Sequence, residues 1–228
     1  MQTYTYTGTE PIYNNVFLAD CGVASRRGAD KLIEEGLVRI NDVITKKGQK
    51  LELGDTITVD KEKIEFSYFV FYKPRGTETG IHKGMPGMHP IGRLDKESEG
   101  LLIYSDDHRL VDKLLNPENH TTKEYEVWSQ ERILDEAEQK LKRGLRYGGI
   151  TYRAPKSLII APSRDKITII LTEGKKHEIR RMFAAVKLTV KRLKRNKIGN
   201  LESPTLQPGD FKKLRGSDLK YIQEILSK

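Results

Sequence analysis

The stretch IGRLDKESEGLLIYSDD, residues 91–107, sets a glycine-flanked polar turn directly before the apolar run Leu101 to Tyr104. The run is short, apolar and bounded by turn residues, which reads as a buried strand. Asp95 sits in the turn that leads into it. A loop aspartate of this kind either ties down its own turn or acts as a covalent nucleophile or general base, and the stretch alone leaves both open. Glu97 is the nearest second carboxylate for a glycosidase-like pair, yet nothing separates it from a solvated loop residue. Asp106 and Asp107 precede HRLVDKLL and read as a helix start, where carboxylates suit the N-terminal dipole; a metal pair is the other reading.

Outward from this stretch the chain is rich in strand signals. SYFVFYKP, KEYEVWS, SLIIAPS and DKITIILTEG are short, β-branched or aromatic, and bounded by Gly, Pro, Asp or Ser. Helical patterns interrupt them at HRLVDKLLNP, ILDEAEQKLKRG, HEIRRMFAAV and SDLKYIQEIL. Strands broken irregularly by helices predict an α+β domain with a mostly antiparallel mixed sheet over residues 62–228. Residues 13–61 read as a separate small module of two helices and a hairpin, with Ser25 capping the second helix and Gly22 and Gly36 ending the two. Its expected core is Phe17, Leu18, Leu32, Ile33, Val38, Ile40, Ile57 and Val59. Residues 1–12 read as a flexible polar tail and KEKIE, 61–65, as a linker.

Forty-one Lys and Arg against 32 Asp and Glu give 228 residues a net charge of +9, which calls for a polyanionic partner. No apolar run is long enough to span a bilayer and no sustained basic amphipathic helix lies ready for a membrane surface, so nucleic acid is the expected partner and a membrane is not. Cys21 is the single cysteine, which excludes an intrachain disulfide and suits a reducing compartment. The start of the chain lacks a signal-peptide pattern, so a cytoplasmic location is expected. His82, His89, His108, His120 and His177 are scattered singly. The glycine-rich segment 76–90 lacks the Gly-Lys-Ser/Thr ending of a phosphate loop and reads as a mobile loop. Between residues 175 and 197, ten positions are Lys or Arg and Glu178 is the single acid, while Ile179, Met182, Phe183, Val186, Leu188, Val190 and Leu193 supply an apolar face. So lopsided a charge run repels itself unless an anion lies on it, which favours phosphate contact.

YKPRG at 72–76, GRLDKESEG at 92–100, KEYEV at 123–127, EGKKHEIRRMFAAV at 173–186, RLKRNKIGNL and PGDFKKL resemble, in that order, the motifs of bacterial ribosomal-RNA pseudouridine synthases of the RsuA type. GVASRRGADKLIEEGLVRIN is similar to the signature of the small alpha-L RNA-binding module commonly fused to the N-terminal side of that catalytic domain. The resemblance implies that a uridine already within RNA has its glycosidic bond broken, its base turned, and C5 joined to C1′. Asp95 matches the family's essential aspartate, attacking C1′ or taking a proton from the ribose. Tyr125 matches the tyrosine that stacks on the target base, Ile179 the apolar wall, and Arg180 the basic residue that pairs with the aspartate. Arg93 is implied to touch a phosphate or prop the extruded nucleotide. RNA-binding candidates are Arg26, Arg27, Lys31 and Arg39 in the small module, and Lys175, Lys176, Arg181, Lys191, Arg192, Lys194 and Arg195 in the larger domain.

An isomerisation needs no redox partner or metal, so no cofactor is expected. The implied substrate is ribosomal RNA with an extruded uridine, large-subunit RNA being favoured, and a monomer is the default expectation. A non-catalytic RNA-binding assembly factor of the same fold is the alternative. Two departures stand out: Tyr13 and Val16 occupy positions where the family carries an arginine and a lysine, and the segment 76–91 is shorter and richer in glycine than is usual.

Overall fold

The structure, a computed structural model, describes residues 1–60, 66–202 and 206–227; the expected linker at 61–65 lies outside the described residues. The chain forms two compact units, Met1–Ser67 with Ser105–Arg109, and Tyr68–Tyr104 with Leu110–Lys228.

The first unit contains β1 (Gln2–Thr5), β2 (Ile12–Tyr13), α1 (Asn14–Asp20), α2 (Arg26–Glu34), β3 (Val38–Ile40), β4 (Val43–Ile44), β5 (Lys50–Leu51) and β6 (Thr56–Val59). Ser25 caps α2, its Oγ accepting the Gly28 N–H at 3.0 Å. Leu18, Leu32, Ile33, Val38, Ile40, Ile57 and Val59 are buried together, with Phe17 half-buried at their edge. That leaves Arg26, Arg27, Lys31 and Arg39 exposed on the opposite faces of α2 and β3, as the helical and strand periods require. One expectation gives way. Residues 2–5 are not a loose tail but the strand β1, antiparallel to β6 from Gln2↔Val59 to Thr5↔Thr56. TYTYT alternates β-branched and aromatic residues, so despite its polarity it completes a sheet edge, and Tyr6 then packs edge-on against Phe17, ring centroids 5.3 Å apart. Within the same unit Asp107 is buried and takes the Arg109 guanidinium at 2.8 and 2.7 Å, which favours the helix-start reading over a metal pair.

The second unit contains β7 (Tyr68–Lys73), β8 (His89–Ile91), β9 (Glu99–Ser105), α3 (Arg109–Leu115), β10 (Lys123–Ser129), α4 (Asp135–Arg143), β11 (Leu145–Tyr147), β12 (Ile150–Tyr152), β13 (Ser157–Ile160), β14 (Lys166–Leu171), α5 (Glu178–Ala185), β15 (Val190–Ile198), β16 (Leu201–Glu202), β17 (Phe211–Lys213) and α6 (Gly216–Ser227). Among the described residues its main sheet runs β13-β14-β10-β15-β9-β7-β17. β10 is antiparallel to both β14 and β15, while β9 joins β15 in parallel, so the sheet is mixed and mostly antiparallel. α5 packs Met182 and Phe183 into the core formed by β10, β14 and β15, with Ile179 on the same side. The α+β class and the arrangement of a small module before a mixed-sheet domain are therefore those the sequence predicts. No helix among the described residues is long and apolar enough to cross a membrane.

The glycine-rich segment is anchored rather than loose. Met85 is 1% exposed in a cluster with Phe71, Leu94, Leu102 and Tyr104, the Tyr104 hydroxyl donates to the Gly80 carbonyl at 2.6 Å, and the His82 ring lies tilted against Phe71 and edge-on to Phe211, centroids 4.9 and 5.4 Å away. Composition signals the glycines but hides the three aromatic contacts.

Candidate active site

Asp95 lies in the turn between β8 and β9. Gly92 opens that turn at φ +81°, the left-handed region that favours glycine; a Cβ there would meet only the movable end of the Leu115 side chain, at 2.9 Å. The turn is then held from below. Lys73, at the end of β7 and 1% exposed, donates its ammonium to the carbonyls of Pro74 (2.9 Å), Lys96 (3.3 Å) and Ser98 (2.7 Å). From the other side the Arg180 guanidinium on α5 donates to the Glu97 carbonyl at 3.0 Å and reaches the Ser98 hydroxyl at 3.4 Å. Two cations thus grip main-chain oxygens of the turn, which fixes the backbone that carries Asp95 without consuming its carboxylate. Burial depresses the pKa of both Lys73 and Arg180, and the Asp95 charge works against that depression in each.

The partner actually in reach of the Asp95 carboxylate is His177, Nδ1 to Oδ2 at 3.1 Å. His177 caps α5 in a left-handed conformation, φ +55°, which a non-glycine residue adopts at a cost and which is frequent at functional sites. The contact is an ion pair when the imidazole is protonated. Arg180, expected to pair with Asp95, spends its hydrogen bonds on the turn and acts on the Asp95 charge from there. Glu97 faces outward and pairs with Arg75 at 3.2 Å, both side chains about half exposed, so it does not form a second carboxylate across the site.

Asp95, Arg93, Tyr125, Ile179 and Arg180 all line one cleft of roughly 780 Å³ in the second unit, together with Lys175, Lys176 and His177. The Asp95 side chain keeps 33% of its surface open to it. Tyr125 presents a half-buried ring from the middle of β10, backed by the core, and Ile179 is buried in the wall. A carboxylate, an aromatic plate and an apolar wall around a cleft of this size suit a flat ring attached to a sugar.

The basic run divides into two structures. Residues 178–185 are α5, and 190–198 are β15, whose alternation sends Leu193 inward and leaves Lys191 and Arg192 exposed and Lys194 half-exposed. Arg192 pairs with Glu99 and lies 4.7 Å from the Trp128 ring; Lys194 lies 5.5 Å from that of Tyr72. Arg195 corrects the sequence reading. It is 5% exposed and donates Nε–H to the Leu101 carbonyl at 2.8 Å, so it is not part of an outer RNA surface. Lys175 spends its ammonium on Glu173 (3.0 Å) and the Thr151 carbonyl (2.8 Å), and Arg181 reaches Tyr152 at 3.4 Å; Lys176 is exposed.

Glu178, single acid of the basic run, is 5% exposed, and its carboxyl is pushed up to about 7 by burial first and by the neighbouring Glu173 next. Glu173 itself is opposed by burial, yet hydrogen bonds from Lys175 and Arg153 hold it below the ordinary value. A carboxyl raised in the folded state stabilises most below its unfolded pKa and loses that contribution as pH rises through about 7. Glu178→Gln is therefore expected to raise stability at pH 8 relative to pH 5, by at most on the order of 3 kcal/mol, in urea unfolding at the two pH values. Equal effects at both would mean that the group is not neutral in the fold.

Residues 67–185 match the family model described as RNA pseudouridylate synthase, and residues 15–57 match the S4 domain. The chain is 34% identical over 229 residues to the ribosomal large subunit pseudouridine synthase B of Bacillus subtilis (strain 168), across 91% of this chain and 94% of that protein. It is 27% identical over 228 residues to the ribosomal small subunit pseudouridine synthase A of Vibrio vulnificus (strain CMCP6), across 90% of this chain and 97% of that one. A crystal structure of pseudouridylate synthase superimposes with a TM-score of 0.68 at 24% identity, covering 94% of this chain and 99% of its own, which shows a shared fold.

Proposed function

Since the chain belongs to the RNA pseudouridylate synthase family, we propose that it converts a uridine of ribosomal RNA to pseudouridine with Asp95 as the group that acts on the sugar. The N1–C1′ bond breaks, the uracil turns, the C5–C1′ bond forms, and the proton leaving C5 is balanced by one gained at N1. Asp95 serves either by attacking C1′ or by taking a proton from the ribose. Tyr125 is the plate on which the base rests while it turns, and Ile179 closes the side. Arg180 and Lys73 keep the turn in place, and His177 orients the carboxylate. Arg93, exposed at the cleft, contacts the backbone of an extruded nucleotide. The observation that carries the reading is the convergence of Asp95, Tyr125, Ile179 and Arg180 on one cleft.

Residues 13–61 are assigned as the RNA-binding module, with Arg26, Arg27, Lys31 and Arg39 on phosphates, and residues 62–228 as the catalytic domain; the protein acts as a monomer in the cytoplasm, on large-subunit RNA. Incubation with unmodified ribosomal RNA transcripts, followed by carbodiimide-dependent primer extension, is expected to give a new stop. A transcript set that is bound but never gains a stop would favour a non-catalytic assembly factor.

Lys191 and Lys194 contribute the free positive charge of β15. Reversing both to glutamate is expected to weaken RNA binding and to lower the slope of log affinity against log salt by about 1 to 2, since each phosphate contact contributes about 0.7–0.9. Filter binding across a salt series reads this, and an unchanged slope would remove β15 from the footprint.

A further inference from the structure

The cleft wall holds polar groups to which the roles above give no work. Lys123 precedes Tyr125 by two residues on β10, so the two side chains share a face, and Arg195 stands directly opposite Tyr125 in the β10–β15 register. Glu178 is the residue before Ile179. All three line the cleft and each is 5% exposed. Their hydrogen bonding is incomplete: Glu178 accepts the Lys175 N–H at Oε2, at 2.9 Å, and Arg195 donates Nε–H to Leu101, yet Glu178 Oε1 and Arg195 Nη2 find no partner among the described residues. An orphan acceptor and an orphan donor buried in one cleft are costly unless something in that cleft completes them.

The Watson–Crick edge of uracil runs acceptor, donor, acceptor: O2, N3–H, O4. We propose that Glu178, Arg195 and Lys123 form a reading edge for that face of the base, with Glu178 accepting N3–H and the two cations donating to the flanking carbonyls. The assignment rests on the uridine reading above and deepens it. Cytosine presents a lone pair at N3 and an amino group beside it, so it sets a lone pair against a carboxylate and a donor against a cation. The same pattern fits the turning of the base. Rotation about the axis through N3 and C6 exchanges N1 with C5, as the isomerisation requires, and exchanges O2 with O4 while N3–H stays where it was. An acceptor for N3–H with a donor for each carbonyl would therefore grip the base equally before and after the turn.

The charges around Glu178 are those of Glu173 and Lys175 on the preceding loop and Lys123 on β10, with Arg195 on β15 acting on Lys123 in turn. Since its carboxyl titrates near 7, the anion that accepts N3–H is formed above that pH and lost below it. Burial, then Arg195, depresses the Lys123 ammonium, and Glu178 works against this, which ties the three groups together.

Binding of uridine 5′-monophosphate, cytidine 5′-monophosphate and N3-methyluridine 5′-monophosphate to the full chain, by saturation-transfer NMR at pH 8 and pH 6, tests the proposal. Uridine monophosphate should bind about tenfold or more tightly than either analogue at pH 8, with the preference shrinking towards parity at pH 6. Glu178→Gln, near-isosteric and uncharged at both pH values, should leave a reduced preference that no longer varies with pH, while Glu178→Leu should abolish it. Equal binding of uridine and N3-methyluridine monophosphates at pH 8, a Glu178→Gln variant that follows the wild-type pH curve, or no uridine monophosphate binding into the millimolar range overturns the assignment. Primer-extension stops without a nucleotide preference reject the reading edge alone; a preference without stops rejects turnover alone.

Discussion

Asp95→Asn is expected to abolish pseudouridine formation, by at least about 10⁴-fold in turnover, while RNA affinity stays within several-fold. The amide has the shape of the carboxylate and its oxygen can still accept from His177 Nδ1, 3.1 Å away in the native protein, so the turn and the cleft persist. What disappears is a nucleophilic or basic oxygen facing the sugar. Affinity should be retained because, on the proposed reading, RNA is held mainly through phosphates by cations elsewhere on the chain. Tritium release from RNA labelled at uracil C5, read beside filter binding, separates the two quantities. A parallel fall in both would make Asp95 a structural residue of its turn.

Lys73→Met is expected to lower turnover by about 10²-fold and stability by about 3 kcal/mol, although Lys73 does not line the cleft. Its ammonium satisfies three carbonyls from a buried position, and the Lys96 and Ser98 carbonyls among them belong to the turn that carries Asp95. Methionine fills the volume but donates nothing, so buried carbonyls lose their charged donor; of the two cations that grip the turn only Arg180 remains, beside the neutral bonds from Gly76 N–H to Lys96 and from Thr79 to Leu94. Misplacement of a reacting group by about 1 Å is enough for a loss of that size. Urea unfolding measures the stability change and tritium release the turnover; a variant destabilised as expected but fully active would show that Arg180 suffices to position Asp95.

Much of this architecture was legible because local rules and tertiary demands agree. The alternating strands, the Ser25 cap and the apolar positions of the small module fall where periodicity places them. Asp95, Tyr125, Ile179 and Arg180 were legible as motif members, although no spacing rule brings β10, α5 and the β8–β9 turn to one cleft. His177 was passed over since its partner is remote in sequence and its significance lies in a left-handed backbone that composition does not reveal. Arg195 misled for the opposite reason. In a run of ten basic residues an outward role is the natural reading, but strand alternation turned it inward, where the Leu101 carbonyl and the cleft receive it. Lys73, Lys123 and Glu178 were equally hidden, because charged residues are so seldom buried that sequence reasoning assigns them to water. Their burial is what marks them as parts of the site.

Gly100 ends the same turn at φ +107°, where β9 runs beside β15 in parallel with Arg195 opposite, and any Cβ at that position would drive into the Arg195 main chain. Tolerance to substitution along the turn is accordingly uneven. Lys96 and Glu97 carry exposed side chains, whereas a methyl group at 100 would wedge two strands apart and displace a buried guanidinium with them. A library randomised over residues 96–100 should return broad variation at its first two positions and glycine at its last.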